Sequence, residues 1–180
     1  MKKSLLLLFF SFSVLFTSCK KDDTTTAPTT PTDPIVGTWV SDGANVAYGL
    51  RLYPLKARKI VVTFNENKTY TVVQTDSANV NTTFTGTYTN TESSYSDTLS
   101  TSFTKGAKLY TIVANQATPS TVTATGIYAI SGTNMSYEVI QTSPALTGVT
   151  VNASTVEGGL GSTTLNGVKY AIYIQKYVKQ

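Results

Sequence analysis

The residues able to do chemistry in this chain are few. Cys19 is its only cysteine, and histidine is absent. That absence removes the commonest general base and the commonest zinc ligand. The serines have no triad base, and no motif marks a Ser-Lys dyad. Asp76, Glu92, Asp97 and Glu157 show no local pairing of the kind that glycoside hydrolysis needs. Gly158-Gly159-Leu160-Gly161-Ser162-Thr163 lacks the Gly-Lys-Ser/Thr ending of a phosphate loop, and a strand rather than a helix is expected after it. No catalytic residue, metal site or cofactor is expected, and the protein reads as a non-enzyme. What is left is Cys19. It follows Lys2 and Lys3, an apolar run from Leu5 to Phe16, and small, polar Thr17 and Ser18. The run is short for a permanent membrane span. The order fits an acylated cysteine at a cleavage site, or a plain secretory leader followed by an incidental thiol. With no second cysteine to pair with, acylation is the favoured chemistry.

Phe16-Thr17-Ser18-Cys19 resembles the lipobox of bacterial lipoprotein signal peptides, with Phe16 where that family prefers Leu. The resemblance implies cleavage before Cys19, which makes residues 1–18 a signal peptide. It also implies a thioether-linked diacylglycerol on Cys19, usually with an amide-linked acyl chain such as palmitate. Two or three chains, at about 0.8 kcal/mol per buried methylene, anchor a protein where one does not. Lys20-Lys21-Asp22-Asp23 looks like the charged tract behind the cysteine in Bacteroidota-type lipoproteins, where it directs export to the surface. Otherwise it is a solvated cluster that leaves the protein on the periplasmic leaflet. The expected location is the outer membrane, on either face.

Residues 19–34 form the lipidated cysteine and its tether. The Thr/Pro stretch 24–34 offers no large apolar group and cannot offset the entropy of packing, so it is expected to be disordered. The domain is expected from 35 to 180, an ordinary size for a single core. The formal net charge of +4 includes Lys2 and Lys3, which leave with the leader, so the composition makes no case for nucleic acid.

The elements that must carry any function read as β. Threonine, tyrosine, valine and isoleucine recur throughout, and no segment after residue 34 holds a helical apolar period. Ile60, Val62 and Phe64 share a face. Asn65-Glu66-Asn67-Lys68 makes a turn, with Asn67 the candidate for positive φ, and Tyr70 and Val72 return on the next strand. Phe84, Gly86 and Tyr88 alternate inward, Gly86 marking a bend or a close approach. Val122, Ala124, Gly126, Tyr128 and Ile130 repeat the pattern, as do Met135, Tyr137 and Val139. The expected spans are 36–41, 45–53, 58–65, 69–76, 80–90, 95–103, 108–115, 121–131, 134–142 and 168–178. The last is apolar on both faces in its first half, as a strand covered on both sides or closing a ring would be. Short links make an antiparallel meander, and a meander this long tends to close. The Gly/Thr/Ser-rich segment 143–167 is long enough to be a lid, a binding loop or a plug.

Gly37-Thr38-Trp39, with the hairpin signatures Thr63 to Tyr70 and Thr85 to Tyr88, resembles lipocalin-like bacterial lipoproteins. The resemblance implies an eight-to-ten-stranded barrel whose Trp39 packs across a closed end. It also implies a basic residue from the last strand, here Lys176 or Lys179, lying over that ring. Barrel-interior ligand contacts would be Phe64, Tyr70, Phe84, Tyr88, Tyr128 and Tyr137, unless these simply fill a narrow barrel. Glu138, opposite the apolar row, should face water; turned inward, it would be the best polar ligand contact. Arg51, Lys56, Arg58 and Lys59 concentrate positive charge that could meet carboxylates, anionic head groups or glycans, or simply be solvated. The expected function is membrane-anchored, monomeric binding of a small hydrophobic or amphipathic ligand. The alternative is a structural lipoprotein presenting loops to an envelope protein or glycan.

Overall fold

Alternation at 60–64, 70–72 and 84–88 places one face of each strand in a common core. The computed structural model describes residues 32–52 and 54–180. The expected signal peptide, Cys19 and the expected tether up to residue 31 lie outside the described residues. Eight strands close into an antiparallel up-and-down barrel: β1 (Gly37–Asp42), β2 (Ala57–Phe64), β3 (Thr69–Asp76), β4 (Asn81–Ser96), β5 (Lys108–Thr118), β6 (Val122–Ser131), β7 (Asn134–Ser143) and β11 (Gln175–Lys179). Each pairs with its chain neighbour, and β11 closes the ring between β7 and β1. Three two-residue strands form a separate small sheet: β8 (Val151–Asn152), β9 (Thr164–Leu165) and β10 (Val168–Lys169).

The barrel has two unlike ends. At one end gather the entry to β1, the hairpins 65–68 and 132–133, and the C-terminus. This end is closed. Trp39 is fully buried, its indole N–H donates to the Ile35 carbonyl at 2.7 Å, and the Lys179 ammonium lies 5.1 Å from its ring centre. That is the arrangement the Gly-x-Trp resemblance implies. Asp33, which the sequence reading gives to the tether, is docked here against Lys68 (2.7 Å) and Asn90 (2.8 Å). The folded unit begins at Thr32. The other end carries the connections 43–56, 77–80, 119–121 and 144–174.

Several expected elements differ. The span 45–53 is not a strand but a 3-10 turn (Gly43–Asn45) and a one-turn helix, α1 (Tyr48–Arg51). Its apolar residues fit either period over so short a run. The span 95–103 is mostly loop, because Asp97 binds it locally. The Asp97 carboxylate accepts from the Leu99 N–H (2.9 Å), the Thr104 hydroxyl (2.9 Å) and the Ser102 hydroxyl. Such bonds compete with a ladder. The span 168–178 is divided into β10, a 3-10 turn (Ala171–Tyr173) and β11. In the 65–68 turn the positive φ falls on Lys68 (63°) instead of Asn67. The Asn67 side chain accepts from the Thr69 hydroxyl at 2.7 Å, which holds the turn without a left-handed Asn67.

The segment 143–167 is neither lid nor plug but a strap on the outer wall. Leu160 packs with Leu109, Ile127 and Ala129, which point out of the barrel, and Leu99, Val156 and Ile174 surround them. Glu138 is corrected by the same fact. It does sit opposite the inward row, yet it is fully buried because the strap covers it. Strand parity tells inside from outside a barrel, but not whether the outside is wet.

Candidate functional site

Between the closed end and the connections lies a half-open cavity of about 250 Å³. Side-chain size explains why it exists. On β5 and β6 the inward row is small, with Ala114 paired to Ala124 and Gly126 one step on. Gly86 continues the small sector on β4, where an added Cβ would collide with the Asn115 carbonyl. Large side chains on β2, β3 and β7 face this sector and cannot fill it.

Phe64, Tyr70, Phe84 and Tyr137, four of the six residues expected to meet a ligand, lie on the cavity wall. The Phe64 ring centre is 6.3 Å from Tyr70 and 6.4 Å from Tyr137, and Tyr177 meets Tyr137 edge-on at 6.1 Å. Tyr88 and Tyr128 are inside the barrel but below the cavity, in the packed closed end. The Tyr88 hydroxyl donates to the Asn65 carbonyl at 3.1 Å, and Tyr128 accepts from the Asn90 amide at 2.7 Å while stacking on Tyr110 at 4.9 Å. Burial, then the nearby Asp33 carboxylate, pushes Tyr88 up to about 12.

The sequence reading missed the wall's polar groups and its rim. Gln74, Gln116 and Gln175 line the cavity, and Leu50 and Tyr173 reach it from the connections. Gln74 was in view as the next inward position after Tyr70 and Val72. Leu50 and Tyr173 lie on short helical turns, which give no period to read. Gln175 accepts from the buried Ala47 N–H at 2.9 Å and so holds the β1–β2 connection over the barrel.

Among the described residues the wall holds no carboxylate, ammonium or guanidinium group. Its titratable groups are tyrosines. Burial raises Tyr70, Tyr173 and Tyr177 and lifts Tyr137 well above the ordinary value, so all four hydroxyls stay protonated at neutral pH. The hydroxyls of Tyr70 and Tyr137 find no hydrogen-bond partner among the described residues. The cavity is therefore apolar, with a few neutral donors and acceptors.

Of the basic cluster, Arg51, Lys56 and Arg58 surround a shallow surface hollow with Gly43, Ala57 and Ser77, and Lys59 is not among them. The glycine-rich run 158–163 does hold an acidic side chain, but an internal one. The N–H groups of Gly161 and Thr163 donate to the Glu138 carboxylate at 2.5 and 3.3 Å. Gly161 has φ +85°, a conformation that favours glycine. Among the described residues no three His, Cys, Asp or Glu side chains converge as a metal site.

Comparison with family models, with curated proteins and with solved structures finds no match.

Proposed function

We propose that the barrel binds a small, uncharged, mostly apolar ligand, and that the protein does so as a lipid-anchored envelope component without catalysing a reaction. The observation that carries the ligand is the half-open cavity walled by aromatic and aliphatic side chains. Binding sites are commonly concave and apolar with a few placed polar groups, at roughly 300–1,000 Å³. A cavity of about 250 Å³ stands just below that range. It suits a compact one- or two-ring molecule better than a long acyl chain. The Tyr70 and Tyr137 hydroxyls and the glutamine amides supply hydrogen bonds, and the absence of a charged wall group disfavours an ion. Anchoring through Cys19 rests on the lipobox and the charged tract behind it. Outer-membrane location and a monomeric state follow the same reading.

The test is native mass spectrometry of the unit Thr32–Gln180 purified from its own host, with titration of N-phenyl-1-naphthylamine, an uncharged fluorescent two-ring probe. A co-purifying small molecule, or saturable probe binding that raises the melting temperature, is expected. A bare mass with no probe binding would sink the reading. Acylation is checked separately: the mature N-terminus should be Cys19 carrying acyl mass.

A further inference from the structure

The rim of the cavity mouth is more apolar than a solvated rim needs to be. Tyr48, Leu52, Leu55, Val80, Val168 and Tyr170 are large and 38–57 % exposed. All six lie on connections at the open end. Hydrogen bonds and packing link the segments that carry Val80, Leu55, Leu52 and Tyr48, and Val168 and Tyr170 line a hollow of their own with Val149 and Leu165. The Ser77 N–H donates to the Lys56 carbonyl at 3.0 Å, which ties the Val80 hairpin to the Leu55 segment. The Lys56 N–H donates to the Leu52 carbonyl at 2.9 Å. A Cβ on Gly49 would lie 2.9 Å from the Tyr173 ring, which brings Tyr48 beside the turn that follows Tyr170. Exposed Arg51, Arg58 and Lys169 are interleaved with these side chains. The carboxylates do not balance them. Asp76 is turned into its own hairpin, accepting from Ala78 and Val80 at 2.8 and 2.9 Å. Asp42 stands opposite Lys59 across β1 and β2, and Glu157 is on the strap.

We propose that this rim docks on an anionic lipid bilayer and sets the cavity mouth against the membrane surface. Isolated exposed apolar residues are ordinary, but several on neighbouring segments at the open end of an apolar cavity mark an interaction surface. Its composition selects the partner. Here cations alternate with aromatic and branched side chains, which suits a headgroup layer. Apolar tips enter the acyl boundary while long cationic chains reach phosphate. The rim then gives an apolar ligand a path between bilayer and cavity that avoids bulk water. Docking itself needs no ligand, so it stands or falls apart from the cavity reading.

The experiment is vesicle co-sedimentation of the unit Thr32–Gln180, whose barrel closes on itself around a core of its own described residues. Partitioning should be at least tenfold stronger with phosphatidylcholine–phosphatidylglycerol vesicles than with phosphatidylcholine alone, and should weaken as salt is added. Leu52→Asp with Leu55→Asp should lose at least tenfold on the mixed vesicles. Arg51→Glu with Arg58→Glu should abolish the preference for them. Both variants change exposed side chains and should keep the parent melting temperature and N-phenyl-1-naphthylamine binding. Equal, weak partitioning to both vesicle types would overturn the proposal, as would anionic binding that survives both variants. Probe binding without vesicle binding would overturn it while leaving the cavity reading intact.

Discussion

Two carboxylates make opposite contributions to the pH dependence of stability. Burial raises Glu138 above its ordinary 4.5, and the Thr163 hydroxyl and the Gly161 and Thr163 N–H groups offset this only in part. The folded chain then holds that proton more tightly than the unfolded chain. The group's contribution is full below 4.5 and is lost as pH rises through the raised value. Asp33 is the reverse. Burial opposes its charge, but hydrogen bonds from Lys68, Asn90 and the Ile35 N–H outweigh that and hold it below its ordinary 3.8. Its contribution is present above 3.8 and is lost as pH falls through the lowered value. Urea midpoints measured against pH should show Glu138→Gln flattening the slope above pH 4.5. They should show Asp33→Asn flattening the loss below 3.8. Glu138→Ala leaves two strap N–H groups without their acceptor and should cost about 1–3 kcal/mol. Limited proteolysis should find new cleavage within 144–163, and its absence would mean that the strap is held by Leu160 and its neighbours alone.

At the scale of elements, the glycines set how closely strands approach. A Cβ on Gly126 would collide with the Glu138 carbonyl and lie 2.8 Å from the Val139 Cα. Gly126→Ala should therefore push β6 from β7 and cost about 1–3 kcal/mol, read as a lower urea midpoint at unchanged slope. The sequence reading had both Gly86 and Gly126 in inward rows, and had Gly86 as a close approach. Alternation is a strong signal where a strand is long and half-buried, so β2, β3, β6 and β7 were legible nearly to the residue. It fails where side chains bind their own backbone, as at Asp97, and where a short turn such as 48–51 offers too few positions to define a period. It also gives parity without environment. Glu138 and Ile127 point out of the barrel, yet the strap buries both. Four of the six expected interior contacts reached the cavity. Tyr88 and Tyr128 did not, and a sequence carries little information about height within a barrel.

For the molecule as a whole, the cavity is a balance of volumes, and one substitution should tip it. Ala124→Phe places a ring in the small sector, across the barrel from β2. It should abolish N-phenyl-1-naphthylamine fluorescence enhancement while changing stability by less than about 1.5 kcal/mol, because the added side chain fills space already empty. A large loss of stability instead would mean that the sector is tighter than its volume implies.

Both ends of the folded unit leave from the closed end. Val36 bonds back to Asp33 at 2.9 Å, and the Gln180 N–H donates to the Thr38 carbonyl at 2.9 Å. The chain is thus nearly a loop with its seam at the pole opposite the mouth. A short linker could join residues 32 and 180, and new termini cut into the 77–80 or 119–121 hairpins would yield a circular permutant with the ring of strands unchanged. Equally, a carrier fused before residue 32 or after residue 180 would sit at that pole and leave the mouth free to meet a bilayer.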